Sequence, residues 1–281
     1  LGNYLFTSAP DGLYYDSNYV YVTTIGPLYK ILVSDPTNPS LSSSLGLVQS
    51  IGRFKVDSGY IYGAASPGSL LIIDTSNLNL LYSEGSNLYP WMDAVGVYAY
   101  PKRTSFPSGD VVIKNVTIKT APTNLGSYKR VLSQYTSHDR KLSGNTLYIS
   151  GIQLIGGNWN HVTLDVVNIS NKLSPTALGF ITSGLGDPTS INNKQPTLYV
   201  LGNYAYIANR ADALYIFDVS NPASIQELAR YPNQGAYEDI FVTSDNFAYL
   251  AGGSTRGLLI LDVSDKTNPR PVGQYCAPNA G

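Results

Sequence analysis

Thr197-Leu-Tyr-Val-Leu-Gly-Asn-Tyr-Ala-Tyr206, then Leu214-Tyr-Ile-Phe-Asp-Val-Ser-Asn-Pro222, then Leu228-Ala-Arg-Tyr231, is the stretch whose reading decides the fold. Gly202-Asn203 splits the first segment into two short apolar runs, and both residues tolerate the positive φ of a tight hairpin turn. The run Leu214-Tyr-Ile-Phe217 is aromatic and β-branched and too short for a helix, so it reads as a buried strand. Asp218 and Ser220 close it as a turn, and Leu228 to Tyr231 supplies a fourth strand. One unit is therefore four short strands, A to D.

The unit recurs along the chain. Tyrosines at 21, 62, 100, 148, 206 and 249 hold one slot, each preceded by a turn pair: Ser17-Asn18, Ser58-Gly59, Gly96-Val97, Gly144-Asn145, Gly202-Asn203 and Asp245-Asn246. Ser34, Ser76, Thr117, Ser170, Ser220 and Ser264 end the strand-C runs at intervals of 41 to 53 residues, the period of propeller blades. A third landmark follows in strand D: Leu45-Gly46, Leu80-Leu81-Tyr82, Leu125-Gly126, Leu178-Gly179, Leu228-Ala229 and Val272-Gly273. Six copies predict an all-β, six-bladed β-propeller of four-stranded antiparallel blades, over approximately 9–50, 51–86, 87–131, 138–183, 195–232 and 237–276. The whole of 1–281 reads as a single domain, with Gly184–Pro196 as a surface loop.

Asp-Val-Ser-Asn-Pro at 218–222, Leu-Asp-Val-Ser at 261–264, Leu-Ile-Ile-Asp-Thr-Ser at 71–76 and Gly-Asn-Tyr-Ala-Tyr at 202–206 resemble the LVIVD-repeat family of secreted and cell-surface β-propellers. The resemblance is strongest in copies two, five and six. Copy one has Leu32 where the Asp belongs, and copies three and four have Asn115 and Asn168 there, with longer loops before strand C. The resemblance implies a propeller and an extracytoplasmic setting, and no defined reaction.

Only 13% of residues are charged and the formal net charge is −1, which gives no footprint for nucleic acid. Tyrosine is abundant at 23, alongside many Ser, Asn and Thr, a surface chemistry of exported and adhesive proteins. No apolar run reaches the ~18 residues of a membrane span. The sequence begins at Leu1 and holds one methionine, Met92, so a processed or excerpted product is expected. The one cysteine, Cys276, permits no disulfide within the chain.

Chemistry-bearing residues are few. His138 and His161 fall in different parts of copy four, and nothing in their spacing builds a nucleophile–base–acid geometry, so no enzyme is expected. The Asp or Asn after strand C, at Asp74, Asn115, Asn168, Asp218 and Asp262, suits a turn in which its side chain accepts a backbone N–H two residues on. Two of these slots complete glycosylation sequons, Asn115-Val-Thr117 and Asn168-Ile-Ser170, making Asn115 and Asn168 candidate glycan carriers. Asp11, Asp93, Asp139 and Asp239 lie upstream of the A strands, with Arg53 in copy two. Inner strands line a propeller's channel, so these carboxylates are candidates for a rim binding a cation such as Ca2+ or a polar ligand; otherwise each serves its own loop.

The ends carry the sharpest expectation about function. Leu1-Gly2-Asn3-Tyr4 repeats Leu201-Gly202-Asn203-Tyr204, but its distance of 20 residues to Tyr21 matches the step from a D strand to the next tyrosine slot. Residues 1–6 thus read as a spare outer strand, since copy six has its own D strand at 271–275. A spare strand leaves unpaired backbone groups, and Leu1, Tyr4, Phe6, Val272 and Tyr275 are the candidate side chains of a contact with copies of the same chain. The leading expectation is an exported, non-enzymatic structural protein that self-assembles by terminal strand exchange, with a filament as one outcome. The alternative is an extracellular ligand-binding or adhesion module using the channel mouth and long loops. A propeller hydrolase or lyase comes third.

Overall fold

The computed structural model describes residues 4–6, 8, 10–47, 51–65, 69–84, 93–101, 111–129, 135–155, 158–183, 196–209, 213–232, 237–252 and 257–275. Six sheets of four strands account for the strands among them, and within each sheet every strand runs antiparallel to the next in sequence. Blade one is β1 (Pro10–Asp16), β2 (Tyr19–Thr24), β3 (Leu28–Leu32) and β4 (Ser40–Leu45). Blade two is β5 (Ile51–Asp57), β6 (Tyr60–Ala65), β7 (Ser69–Asp74) and β8 (Leu80–Ser83). Blade three is β9 (Ala94–Val95), β10 (Tyr98–Ala99), β11 (Val111–Asn115) and β12 (Thr123–Tyr128). Blade four has the longest strands, β13 (Tyr135–Ser143), β14 (Thr146–Ile155), β15 (Asn158–Asn168) and β16 (Thr176–Thr182). Blade five is β17 (Thr197–Leu201), β18 (Tyr204–Ala208), β19 (Ala213–Asp218) and β20 (Gln226–Pro232). Blade six is β21 (Tyr237–Val242), β22 (Phe247–Gly252), β23 (Leu258–Asp262) and β24 (Arg270–Tyr275). The chain divides into two compact units, residues 1–130 with 172–174, and 131–171 with 175–281.

The A–B turns adopt the backbone their residues anticipate. Ser17, Ser58, Gly59, Gly96, Gly144, Gly202 and Asn246 all have positive φ, the left-handed conformation that lets two strands reverse in a tight loop. Strand C then runs buried through its apolar residues, as Leu70 to Ile73 and Ala213 to Phe217 show. Apolar clusters lie between consecutive sheets: Tyr21 and Leu28 with Ile61, Leu71 and Leu78 belong to blades one and two, and Tyr206, Leu214 and Ile216 join Ile240, Leu250 and Leu261 across blades five and six. Burial of this kind is worth roughly 25 cal/mol per Å² of apolar surface, which is why the stacking of sheets rather than any single sheet holds the fold.

Strand D carries one extra residue in every blade. Its register against strand C shifts after Lys30, Ile72, Ile113, Val166, Ile216 and Ile260, leaving Ser42, Leu81, Leu125, Leu178, Leu228 and Val272 as β-bulges. The Leu-Gly landmark is thus a bulge followed by the residue that resumes pairing. In blade one the expected Leu45-Gly46 is not that site: Ser42-Ser43 occupies it, because Ser43 is the residue opposite Lys30.

The spare outer strand over residues 1–6 is corrected in part by the structure. Tyr4, Leu5 and Phe6 form no strand, and each of the six sheets is complete with four strands of its own. Phe6 instead lies edge-on to Tyr29 of β3, ring centroids 5.3 Å apart, with Tyr4 5.1 Å from Phe6. Leu1 is outside the described residues, as are Cys276, Met92 and 184–195 of the expected loop.

Candidate functional site

The aspartates expected upstream of the A strands lie in them or at their edge. Asp11 is in β1 and Asp139 and Asp239 are in β13 and β21, while Asp93 directly precedes β9. Register shifts occur at this level in β1, β5, β13 and β21, so the inner strand kinks beside Asp11, Asp139 and Asp239, and beside Arg53 in blade two, as bulges re-aim side chains. Asp93, Asp139 and Asp239 each accept the N–H of the next residue through Oδ1, from Ala94 at 2.9 Å, Arg140 at 2.7 Å and Ile240 at 2.9 Å. The side chains of Asp11 and Arg53 lie outside the described set.

Asp139 does more than serve its own loop. It is buried, and its second oxygen accepts the N–H of Leu198, on the A strand of blade five, at 2.9 Å. Ser150 completes the bracket: its Oγ donates to Pro196 O at 3.0 Å and accepts the Asp139 N–H at 3.2 Å. A carboxylate accepting two backbone N–H bonds away from water is a strong, oriented link between neighbouring sheets. Asp93 lies 3.9 Å from Lys55 of the preceding blade, and Asp239 is exposed. Among the described residues no three His, Cys, Asp or Glu side chains are grouped to hold a metal ion.

The Asx slots after strand C act as turn closers. Asp74, Asn115, Asn168, Asp218 and Asp262 each accept, through Oδ1, the N–H of Ser76, Thr117, Ser170, Ser220 and Ser264, at 2.7 to 2.8 Å. In blade one, which has Leu32 in this slot, Asp35 does the same three residues later with Thr37, as Asp265 does with Thr267 in blade six. Hydrogen bonds from the partner hydroxyl and N–H hold the carboxyls of Asp35, Asp74, Asp218, Asp262 and Asp265 below their ordinary value. At Asn115 and Asn168 the same bond engages the side-chain oxygen of the sequon asparagine.

His161 is buried with Nδ1 2.9 Å from Ser183 O, tying strand C of blade four to the end of its strand D. His138 lies in β13 and its side chain is outside the described set.

Two further devices were missed in the sequence. Gly126 and Gly179 follow the D-strand bulges beneath the C–D turn of the next blade. A Cβ on Gly126 would come within 2.5 Å of Lys172 O and 2.7 Å of Leu173 O, and one on Gly179 would overlap Pro222 O. The second device is a lysine four residues after the Asx slot. Lys119, Lys172 and Lys266 reach over the first tyrosine of the preceding blade's Tyr-x-Tyr, with Nζ 4.6 Å from the Tyr60 centroid, 5.2 Å from Tyr98 and 5.0 Å from Tyr204. Such contacts contribute ~0.5–2 kcal/mol, and burial pulls these three ammonium groups below the ordinary lysine value. The spacing Asx-x-Ser/Thr-x-Lys was visible at Asn115–Lys119, Asn168–Lys172 and Asp262–Lys266, and only the tyrosine platform gives it meaning.

Repeated four-stranded sheets joined by inter-sheet clamps define a β-propeller. The fold is shared over 99% of this chain and 89% of the other with the β-propeller domain of Myceliophteria thermophila Cps50 (Swd1), at 9% identity and a TM-score of 0.71. BamB from Moraxella catarrhalis is also similar, covering 92% of this chain and 84% of its own at 12% identity and a TM-score of 0.55. The LVIVD repeat model matches residues 16–46, 50–84, 196–232 and 234–277, more than half of the sequence. The chain belongs to the LVIVD-repeat family, and its fold is a six-bladed β-propeller. Copy one is among the matched repeats despite Leu32, while copies three and four, with Asn in the Asx slot, are not. No curated protein sequence matches it.

Proposed function

We propose that this chain is a non-enzymatic, exported propeller subunit that assembles head-to-tail with copies of itself. The observation that carries the reading is the segment Tyr4–Phe6, which joins none of the six complete sheets and leaves Leu5 84% exposed. An apolar segment outside a finished sheet can serve as the donor half of strand addition, with an outer blade edge as the acceptor half. The D-strand bulges narrow the choice of edge, because a bulge interrupts regular pairing. Only the stretch beyond the bulge is regular, as in Gly179–Thr182 of β16 or Gly273–Tyr275 of β24. Val272 precedes the second of these and Tyr275 ends it, both exposed. A contact between two different surfaces that does not close on itself builds a filament.

The exported setting is supported by the sequons at Asn115 and Asn168, whose Thr117 and Ser170 are exposed in turns. Deleting residues 1–6 tests the proposal. The expected result is an unchanged β-rich circular dichroism spectrum with loss of higher species in sedimentation velocity and negative-stain images. A deletion that leaves the oligomeric state untouched overturns strand exchange in favour of the ligand-binding or adhesion reading.

A further inference from the structure

Three side chains that meet between blades two and three break the pattern of the repeat. The residue just before the Asx slot of strand C is apolar and closed off in five blades, as Ile31, Ile73, Val167, Phe217 and Leu261, each at most 3% exposed. In blade three it is Lys114, equally buried. Opposite Lys114 on strand D stands Asn124, where no other blade has an amide. The third member is Glu84, which follows β8 of blade two and donates its N–H to Leu70 O at 3.0 Å. Leu45, Tyr128, Ile181, Tyr231 and Tyr275 hold that position in the other blades. All three residues belong to the first compact unit.

Lys114 Nζ donates to Asn124 Oδ1 at 2.8 Å and to Glu84 Oε1 at 3.1 Å, and it lies 2.9 Å from Glu84 Oε2. The Lys114 side chain is buried and that of Glu84 largely so, while Asn124 is open to solvent on the outer strand. Taking two charges out of water is costly, and an apolar side chain of similar volume commonly serves stability as well or better. Stability alone therefore does not account for a lysine where five blades place hydrocarbon. An amine held between a carboxylate and a carboxamide is also a reactive arrangement, because the carboxylate can take the proton that keeps the amine from acting as a nucleophile.

We propose that Glu84, Lys114 and Asn124 form an autocatalytic cross-link site, at which Lys114 and Asn124 condense into an isopeptide bond. Lys114 passes one ammonium proton to Glu84, which frees the lone pair of Nζ. Nζ attacks Cγ of Asn124, and the amide oxygen takes up the electron pair of the broken C–O π bond. The attacking nitrogen then carries a surplus proton, which moves by way of Glu84 to Nδ2. The carbonyl reforms, the Cγ–Nδ2 bond breaks, and ammonia leaves through the open side of Asn124 with the proton that Glu84 still holds. One ammonium and one carboxamide are consumed, one secondary amide and one ammonium ion are formed, and Glu84 ends as the carboxylate it began as. Nothing is oxidised or reduced. The bond ties strand C to strand D in the blade whose inner strands are shortest, β9 and β10 being two residues each.

Mass spectrometry of the purified full chain tests this. The expected intact mass is lower than that of the sequence by one ammonia. Trypsin cuts after Lys119, between the two residues, so a pair of peptides still joined through Lys114 and Asn124, with Lys114 uncleaved, is the second expected result. Lys114→Arg keeps the charge without the nucleophile, and Glu84→Gln removes the proton carrier; each, with an unchanged circular dichroism spectrum, should give the full mass and separate peptides. A wild-type chain at full mass overturns the proposal. So does loss of ammonia with peptides that separate, as an asparagine succinimide would give, and so does a joined pair that forms as completely in folded Glu84→Gln.

Discussion

The carbonyl of Pro222 occupies the space that a Cβ on Gly179 would need, so the two blades approach through a position where only a hydrogen fits. The obstructing atom is backbone in a closed turn and cannot rotate aside. Gly179→Ala is therefore expected to destabilise the fold by ~1–3 kcal/mol, the usual cost of overpacking. Gly273→Ala, whose new methyl would meet Ile260 at ordinary contact distance, should stay within about 0.5 kcal/mol. Urea denaturation of both checks this, and equal losses would show that the glycines are needed for the bulge rather than for the next blade.

Tyr206 and Tyr249 hold one place in the repeat but differ in cover, Tyr206 being 1% exposed and Tyr249 only partly buried. Removing a large aromatic side chain from a closed core costs ~3–5 kcal/mol, so Tyr206→Ala should fall in that range. Tyr249→Ala in dispersed protein should cost less than half as much. Parallel thermal melts decide the matter, and a Tyr249 loss equal to that of Tyr206 would show that the packing around the two rings is equally tight.

Most of the fold was legible because the repeat states it six times. Turn pairs such as Gly202-Asn203 and Asx closers such as Asp218 act within a few residues, and local hydrogen bonding alone decides their role. Leu178-Gly179 was legible as a landmark but not as a mechanism, since the bulge is defined by strand C and the tight approach by the next blade's turn. Blade one misled for the same reason: Leu45-Gly46 copies the motif, while register against Lys30 puts the bulge at Ser42. The aspartates were located but not explained. That Asp139 accepts the N–H of Leu198, 59 residues onward, follows from how two blades stack, which no spacing in the sequence encodes.

Asp139 accepts two backbone N–H groups, from Arg140 and Leu198, in a buried setting. Truncation to alanine would leave both donors without this acceptor, and each unsatisfied buried group costs ~1–3 kcal/mol. Asp139→Ala should therefore lower stability by at least about 2 kcal/mol, and Asp139→Asn by less, because an amide oxygen can still accept. Hydrogen exchange provides the site-specific check: Leu198 N–H protection should fall in the alanine variant before global unfolding does. Unaltered protection would assign that amide to another acceptor.

Stability should fall at both ends of the pH scale, for opposite reasons. Asp35, Asp74, Asp218, Asp262 and Asp265 have folded pKa values held below 3.8, chiefly by hydrogen bonds from the hydroxyl and N–H two residues on. A depressed carboxyl contributes stability above its unfolded value, and that contribution is lost as pH falls through the folded value. Melting temperature should therefore decline below the ordinary carboxylate range, and Ser220→Ala should lessen the decline due to Asp218. At the alkaline end, burial pushes Tyr62, Tyr100 and Tyr206 from 10.0 up to about 12. A raised phenol is favourable below its unfolded value and loses that advantage as pH rises through the folded one, so stability should drop between 10.0 and about 12. Tyr206→Phe removes one such titration and should flatten the alkaline limb. Melts across this range, read beside tyrosinate absorbance, would reject the account if ionisation of these rings preceded unfolding.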